Sequence, residues 1–482
     1  MADPSSTRVR VALDLSVPAA LSRVGHRVVG APITQRRFEL FDTADRRLAA
    51  AGATLSFNRN AGWVWRRETL GHPKLSTVEW TAPPTTTAEQ MHEWTRAYRR
   101  GRSLAPRARV NVRRRPHRVF AEDGGEVLAI VEERIDVLGT SGWAPRLHRV
   151  DVVGDAKGDV AAAALDVLGE AQLPGGATLA LLRPALVRAP RLRLGNPADT
   201  GARALFSRSA TLSLIQWLHF DCELVGGGSP DALRKLRVGL RRLRSDLQTF
   251  GPLLDREWAA DLRARLGDLG GSLGGVRDAE VLTERLAGLV SALPQADSAA
   301  AQPLLDTASE QLVLARARLF DRLKGDDYVG LLDSTVAAVT EPRWAEDAAE
   351  PSVARLARRP WRRLRTLVKS MDATPDDTQL HRIRILAKRA RYAADACVPA
   401  HGEAAASSAR RLAALQTILG EHHDAAVTHA WLQSQAGAAA DVAFAAGEMA
   451  AIELTRQRQA EAAWPDAWKA ASRAEDWDWL RS

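Results

Sequence analysis

The chemistry open to this chain is clearest in two runs of cationic residues. Arg234, Arg237, Arg241 and Arg244 follow one another at spacings of three, four and three residues, and His381, Arg384, Lys388 and Arg391 repeat the pattern. At about 100° per residue each run lies on one narrow stripe of a helix, roughly 15 Å long. Leu236, Leu240, Leu243, Leu247 and Phe250 fall on the opposite side of the first helix. Ile383, Ala387, Ala390, Ala394 and Cys397 do so on the second, and both helices should bury those sides. No acidic residue occurs between Leu233 and Arg244 or between His381 and Arg391. Within these windows the charges therefore have no acidic partner one turn away and repel one another. Guanidinium forks match phosphate oxygens in pairs, and a long stripe suits a linear polyanion better than a single small anion. For a single helix, a solvated face explains such a stripe as well; the same placement in two copies favours a binding surface.

The two stripes belong to a duplication. Leu233–Phe250 aligns without gaps on Leu380–Cys397 at an offset of 147, and SLGGVRDAEV from Ser272 matches ILGEHHDAAV from Ile418 at an offset of 146. Two motifs in the same order at nearly the same spacing imply a repeated structural unit. In the second motif Gly274 matches Gly420, where close helix approach is one reading, and Asp278 matches Asp424. Arg277, His422 and His423 lie beside them. Arg277 and His422 join the eight stripe residues as candidate phosphate contacts. Asp278 and Asp424 either pair with arginines to hold the two halves together or touch the ligand. His422, His423 and His429 make only a weak metal signature, and no metal or cofactor is expected.

The elements that must position these residues fall in two regions. From Arg8 to about Val187 short segments alternate apolar and polar residues, among them RRFELFDT, ATLSFNRN, GWVWRRETL, ARVNVRRR, VLAIVEERIDVL and HRVDVVG, with a helix around Ala88–Arg100. This reads as an antiparallel sheet or barrel. Arg188–Gly201 is rich in Pro, Gly and Arg without an apolar period and reads as a linker. Beyond it apolar residues recur at helical spacing to the end. The fold class is thus α+β and multidomain: a β-barrel domain at 1–187, a linker at 188–204, and an all-α domain at 205–482. The latter is expected to hold two helical bundles, at about 205–330 and 350–482, related by a pseudo-twofold axis.

Composition agrees with an anionic partner and excludes other classes. The formal charge is +9, and 60 of the 67 basic residues are arginine, a bias that a GC-rich genome would also produce. Cys222 and Cys397 are too few for a disulfide framework or a four-ligand zinc site. A cytoplasmic protein is expected: the N-terminus lacks an apolar leader core, and the Ala-rich run at 436–451 is broken by Asp441 and Glu448. No membrane partner is expected, while homodimerisation is compatible with the sequence. Neither stripe contains an aromatic residue to stack a base, and Tyr392 lies off the stripe. A sequence-blind nucleic-acid binder is therefore an alternative rather than the preferred reading.

The segment ALRKLRVGLRRLRSDLQTF with LGGVRD, and its echo LHRIRILAKRARYAADAC with LGEHHD, resemble the CHAD domain, a conserved-histidine α-helical family, over roughly Leu205–Leu432. The resemblance implies a two-bundle fold whose basic central groove binds inorganic polyphosphate, and association with polyphosphate granules. Arg234 stands where the family usually has histidine, a change that keeps a phosphate donor. The N-terminal half resembles the CYTH domain, a triphosphate-tunnel barrel, over about Arg8–Leu186. Active members of that family carry ExExK on the first strand; here RVRVA places Arg8, Arg10 and Ala12 at those sites. A late acidic pair is reduced to Asp151, and the expected lysine of the final helix is Leu182 or its neighbour. Positive charge where a cation would sit argues against metal-assisted hydrolysis. The expectation is non-catalytic polyphosphate binding with no catalytic residue. Metal-dependent triphosphatase or polyphosphatase activity is the alternative, and Glu132, Glu133 and Asp151 are assigned surface or structural roles.

Overall fold

A computed structural model describes residues 6–12, 14–23, 25–120, 124–139, 146–153, 166, 168, 171–172, 191–225, 231–346, 350–371 and 374–481. The chain divides into two compact units, Met1–Arg191 and Leu192–Ser482. Among the described residues no helix is long and apolar enough to cross a membrane.

The first unit is built on one sheet. Its strands are β1 (Ser6–Arg10), β2 (Arg27–Gly30), β3 (Thr34–Asp42), β4 (Ala53–Asn58), β5 (Gly62–Arg67), β6 (Val78–Ala82), β7 (Ala105–Phe120), β8 (Glu126–Gly139), β9 (Arg146–Val153) and β10 (Ala171–Gln172). Short helices accompany them, among them α1 (Val17–Ser22), α2 (Arg47–Ala50), α3 (Ala88–Trp94) and α4 (Arg96–Arg99). All pairings are antiparallel, in the order β10-β1-β9-β8-β7-β3-β4-β5-β6, with β2 beside the far end of β7.

Among the described residues this path has two ends, so the sheet is open and not the closed barrel expected from the sequence. The long β7–β8 hairpin shows why the pattern misleads. On β7 the buried residues are Ala108, Val110 and Val112, then His117 and Val119. The phase of the alternation thus flips in the strand's middle, near Pro116, and successive side chains point to opposite faces. One core, with Leu40, Val110, Ile135 and Leu147, lies on one face. A second core, with Leu21, Val119, Ile130 and Val150, lies on the other. A closed barrel keeps one phase around one interior.

The second unit is all-helical. Its elements are α5 (Ala202–Val225), α6 (Ala232–Thr249), α7 (Arg256–Val290), α8 (Gln295–Lys324), α9 (Asp326–Thr340), α10 (Val353–Lys369), α11 (Asp377–Gln433) and α12 (Ala440–Ala471), with a 3-10 segment at Ala474–Arg481. Helix α11 is two helices joined at Gly402, whose φ of 54° and ψ of −133° break the path. Its arms, 377–401 and 403–433, correspond to α6 and α7 of the first repeat. The breaks also correspond: Pro399 aligns with Pro252 of the α6–α7 turn, and a proline cannot donate the amide that would continue the helix. The expected apolar stripes are the buried ones. Leu233, Leu236, Leu240, Leu243 and Leu247 are at most 2% exposed, as are Leu380, Ile383, Ala387, Ala390 and Ala394.

A shared core joins the repeats. Leu282, Leu286 and Leu289 of α7 and Leu304 of α8 pack against Leu432 of α11 and Ala445 and Met449 of α12. Beside that core Arg285 bridges Glu421, at 2.9 Å, and the fully buried Glu453. Close helix approach is required at Gly239. A Cβ there would lie 2.9 Å from the Ser213 carbonyl oxygen of α5, whereas Gly420 has nothing within 4 Å and Gly274 only Arg237 at 3.7 Å. The glycines of the second motif therefore do not bring helices into tight contact.

Candidate polyanion-binding site

The two stripe helices begin differently. The first arm of α11 opens on a capping box: Asp376 Oδ1 accepts from the Gln379 amide at 2.7 Å, and Gln379 Oε1 accepts from the Asp376 amide at 2.9 Å. Helix α6 opens at Asp231, whose carboxylate instead accepts from Arg234 Nε at 3.0 Å. Arg234 is thereby tied at the exposed end of its helix, by an acidic residue just outside the window that holds no carboxylate.

Past this turn the stripes converge. Burial pulls the Lys388 ammonium down to about 7, and the charges of Arg384, Arg241 and Arg237 add to the effect, opposed by Asp424. Arg237 and Arg384 are lowered by burial too; each is offset by an aspartate, Asp278 beside Arg237 and Asp424 beside Arg384. The two pairs occupy equivalent places in the two repeats. The second has Arg384 Nη2 at 3.9 Å from Asp424 Oδ1. Nε of Arg241 and of Arg384 is buried without a hydrogen-bond partner. Cations from both repeats thus form one half-buried cluster with fewer carboxylates than charges to match. Of the two roles open to Asp278 and Asp424, this geometry puts them beside the arginines.

His381 and His423 complete the cluster. Their Nδ1 atoms lie 3.3 Å apart, and the rings tilt against each other at 4.6 Å between centroids. Burial, then Arg384, His381 and Lys388, push His423 down to about 4. Burial, then Arg384 and Lys388, lower His381 as well, which favours the neutral rings that let one donate to the other.

The structure does not gather every candidate. His422 is 2% exposed and turns away, with Nε2 3.2 Å from Glu461 Oε1 and 3.3 Å from Asp377 Oδ1. The repeat alignment carried this signal, since at an offset of 146 His422 matches the buried Val276 and His423 matches Arg277. Arg277 reaches the edge of the group, where its charge is felt by Arg237, but it also pairs with Glu280 at 3.2 Å and Glu284 at 3.4 Å. Arg244 feels burial, then Arg263 and Arg389, and so belongs to a neighbouring cluster. Arg391 stacks over the ring of Tyr392, 4.9 Å from its centroid.

The ligand atoms of Asp377, His422 and Glu461 lie within 4.8 Å of one another. Hydrogen bonding accounts for that proximity: Gln457 Nε2 donates to Asp377 Oδ1 at 2.9 Å, and His422 stands between the two carboxylates.

In the sheet unit the remaining carboxylates are occupied. Glu132 receives His117 Nε2 and His148 Nε2, each at 2.8 Å, and Arg134 Nε at 3.2 Å. Burial raises its pKa, but the hydrogen bonds from the histidines outweigh that and hold it far below the usual carboxylate range. His148 Nδ1 meets the Ala12 carbonyl at 2.8 Å, so that nitrogen carries a proton. Glu133 accepts from Arg149 Nε at 2.9 Å. Asp151 stands opposite Arg8 in the β1–β9 register, and Arg149 opposite Arg10. Leu182 lies outside the described residues. A concavity of about 1680 Å³ in this unit is also lined by arginines. Several of these are neutralised, Arg113 and Arg146 by Asp136 and Arg109 by Glu39.

Two Mycobacterium tuberculosis proteins, Rv2226 and MT2285, are each 31% identical over 256 residues, covering 50% of this chain and 47% of theirs. The chain thus spans about half the length of these curated relatives. Two solved structures are similar. PptA from Streptomyces chartreusis has 22% identity and a TM-score of 0.49, over 56% of this chain and all of that one. The CHAD domain of the plant Ricinus communis has 26% identity and a TM-score of 0.46, over 59% of this chain and 96% of that one. A family profile matches residues 208–433, which contain both stripes and both second motifs, and these residues are a CHAD domain.

Proposed function

We propose that the helical unit binds inorganic polyphosphate without hydrolysing it, through a cleft of Arg237, Arg241, Arg384 and Lys388, with His381 and His423 beside it. The observation that carries this reading is the convergence of like charges from both repeats in one half-buried cluster, where burial, with Arg384, Arg241 and Arg237 adding to it, brings the Lys388 ammonium down to about 7. Such an arrangement is costly when empty and is relieved by a polyanion. The resemblance to polyphosphate-binding CHAD domains supports the choice of anion. Tyr392, 4% exposed beneath Arg391, offers no open face for a base, which favours a polymer of phosphate alone over single-stranded nucleic acid. Association with polyphosphate granules would follow from the same contacts.

The sheet unit, read as a degenerate CYTH-like domain, plays no catalytic part in this proposal. The carboxylates left to it are engaged by histidine and arginine, a donor set that repels a divalent cation.

The test is a titration of long-chain polyphosphate and single-stranded DNA, at equal phosphate concentration, into the full chain and two variants. Arg237→Glu with Arg241→Glu should weaken polyphosphate binding about as much as Arg384→Glu with Lys388→Glu. A control reversal of the exposed Arg318 and Arg458 should have little effect, and wild-type affinity should fall steeply with salt. Equal loss in the control, or tighter binding of DNA, would leave only diffuse attraction and refute the cleft. Magnesium- or manganese-dependent phosphate release that is lost on mutating Glu132, Glu133 or Asp151 would refute the non-catalytic reading.

A further inference from the structure

A second concavity, of about 1230 Å³, lies between α6, α7, α10 and the first arm of α11. Its lining includes Arg256 and Arg263 of α7, Arg343 of the segment after α9, Arg359 and Arg363 of α10, and Arg389 of α11. Arg359 and Arg363 are one turn apart and share a helix face. Among the described residues none of the six forms an ion pair. Two carboxylates line the same space: Asp255 caps α7 by accepting from the Trp258 amide at 2.8 Å, and Glu346 is exposed. Guanidinium groups from four separate segments therefore face one space with little to neutralise them.

The Arg244 side chain extends between α6 and α7 toward this group. A Cβ on Gly267 would lie 3.0 Å from its Nη2, and one on Gly270 3.6 Å from its Nη1. These two glycines leave the room the guanidinium occupies. Burial lowers Arg244, and the charges of Arg263 and Arg389 lower it further; burial lowers Arg389 too, and Arg263 and Arg363 add to it. The cluster is thus electrostatically connected and strained, as the cleft is, yet it involves different arginines.

We propose that this pocket is a second oxyanion site, which takes a short run of phosphoryl groups independently of the cleft. The chemistry selects phosphate over nucleobase. Trp344 is on the wall, but its ring is engaged by the Arg203 guanidinium at 5.2 Å and by the edge of Phe206 at 5.8 Å. Lys388 of the cleft and Arg389 of the pocket are consecutive on α11, about 100° apart around its axis, so the two sites share that helix as a wall. A polymer that reaches both gains from effective concentration. The pocket rests on its own geometry; only its use by one long chain together with the cleft rests on the polyphosphate reading.

The test is calorimetric titration of tripolyphosphate and of ATP into the full chain. Wild type should take up two tripolyphosphates per chain. The pocket variant Arg263→Gln, Arg363→Gln, Arg389→Gln should take up one, and the cleft variant Arg237→Gln, Arg241→Gln should also take up one. Neutral glutamine keeps the fold testable, and circular dichroism checks it. Long-chain polyphosphate should lose about 100-fold in affinity in the pocket variant if it engages both sites. Unchanged stoichiometry and affinity in the pocket variant would overturn the proposal. ATP binding at the pocket much more tightly than tripolyphosphate would overturn the phosphate-only class. Loss of a site in the pocket variant with none lost in the cleft variant would uphold the pocket while sinking the cleft.

Discussion

On the proposed polyphosphate reading Lys388 should make binding proton-linked, and the size of the linkage follows from the structure. In the free protein its ammonium is held at about 7 by burial and by Arg384, Arg241 and Arg237. A bound polyanion supplies the missing counter-charge. At most it restores the ordinary lysine value of 10.5. The bound state then holds a proton that the free state has lost between pH 7 and 10.5, so affinity is greatest below pH 7 and falls as pH rises through this window. For full restoration the fall from pH 8 to 9.5 is about 25-fold, with uptake of roughly 0.9 proton per site at pH 8. Chain-terminal phosphates, with a second ionisation near 6, are fully charged over that range. Calorimetry in buffers of different ionisation enthalpy measures the uptake directly. Lys388→Arg should bind across the range with no such slope, since arginine does not deprotonate there. Lys388→Met should bind more weakly and also without slope. PH-independent wild-type affinity from 8 to 9.5, or an Arg variant with the wild-type slope, would refute the reasoning.

Four further outcomes concern folding. Asp246 is fully buried, accepts from Ser209 Oγ at 2.8 Å, and is raised by burial to about 7. The folded state therefore holds a proton that the unfolded aspartate, near 3.9, gives up. Its stabilising contribution is full below about pH 4 and lost as pH rises to 7, so Asp246→Asn should flatten that slope and gain on the order of 2–4 kcal/mol at pH 8 in urea unfolding. Arg285→Met leaves Glu453, at 0% exposure, with Arg456 at 2.7 Å as its one ion-pair partner among the described residues, and should cost about 3 kcal/mol by the same assay. Gly239→Ala should lower the melting temperature by the equivalent of about 1–3 kcal/mol, because the 2.9 Å approach to a backbone oxygen leaves no room. Gly420→Ala, with nothing within 4 Å, should instead gain up to about 1 kcal/mol from helix propensity.

Periodicity and duplication are properties of consecutive residues, and for that reason they were legible without coordinates. The spacing of Leu236, Leu240 and Leu243 determined which side of α6 is buried, and the offset of 147 carried that side onto Ile383, Ala387 and Ala390. The same local logic placed the charges on the other sides. The alternation of β7 was legible as strand, but a two-residue period does not say which face a distant element covers. The phase flip between Val112 and His117 therefore passed unnoticed, and an open sheet with a core on each face looked like a barrel.

Which charges meet was decided by tertiary structure alone, because it depends on two helices far apart in the chain and on neighbours that no spacing encodes. Arg244 shares a stripe with Arg237 and Arg241, yet it extends toward Arg263 and Arg389. His422 and His423 are adjacent, and about 100° of helix rotation sends one into the protein beside Glu461 and the other into the cluster beside His381. The depressed Lys388 depends on three arginines from two repeats converging in one half-buried space. Coulomb energy and desolvation act through space rather than along the chain, so only the packed fold could set its protonation.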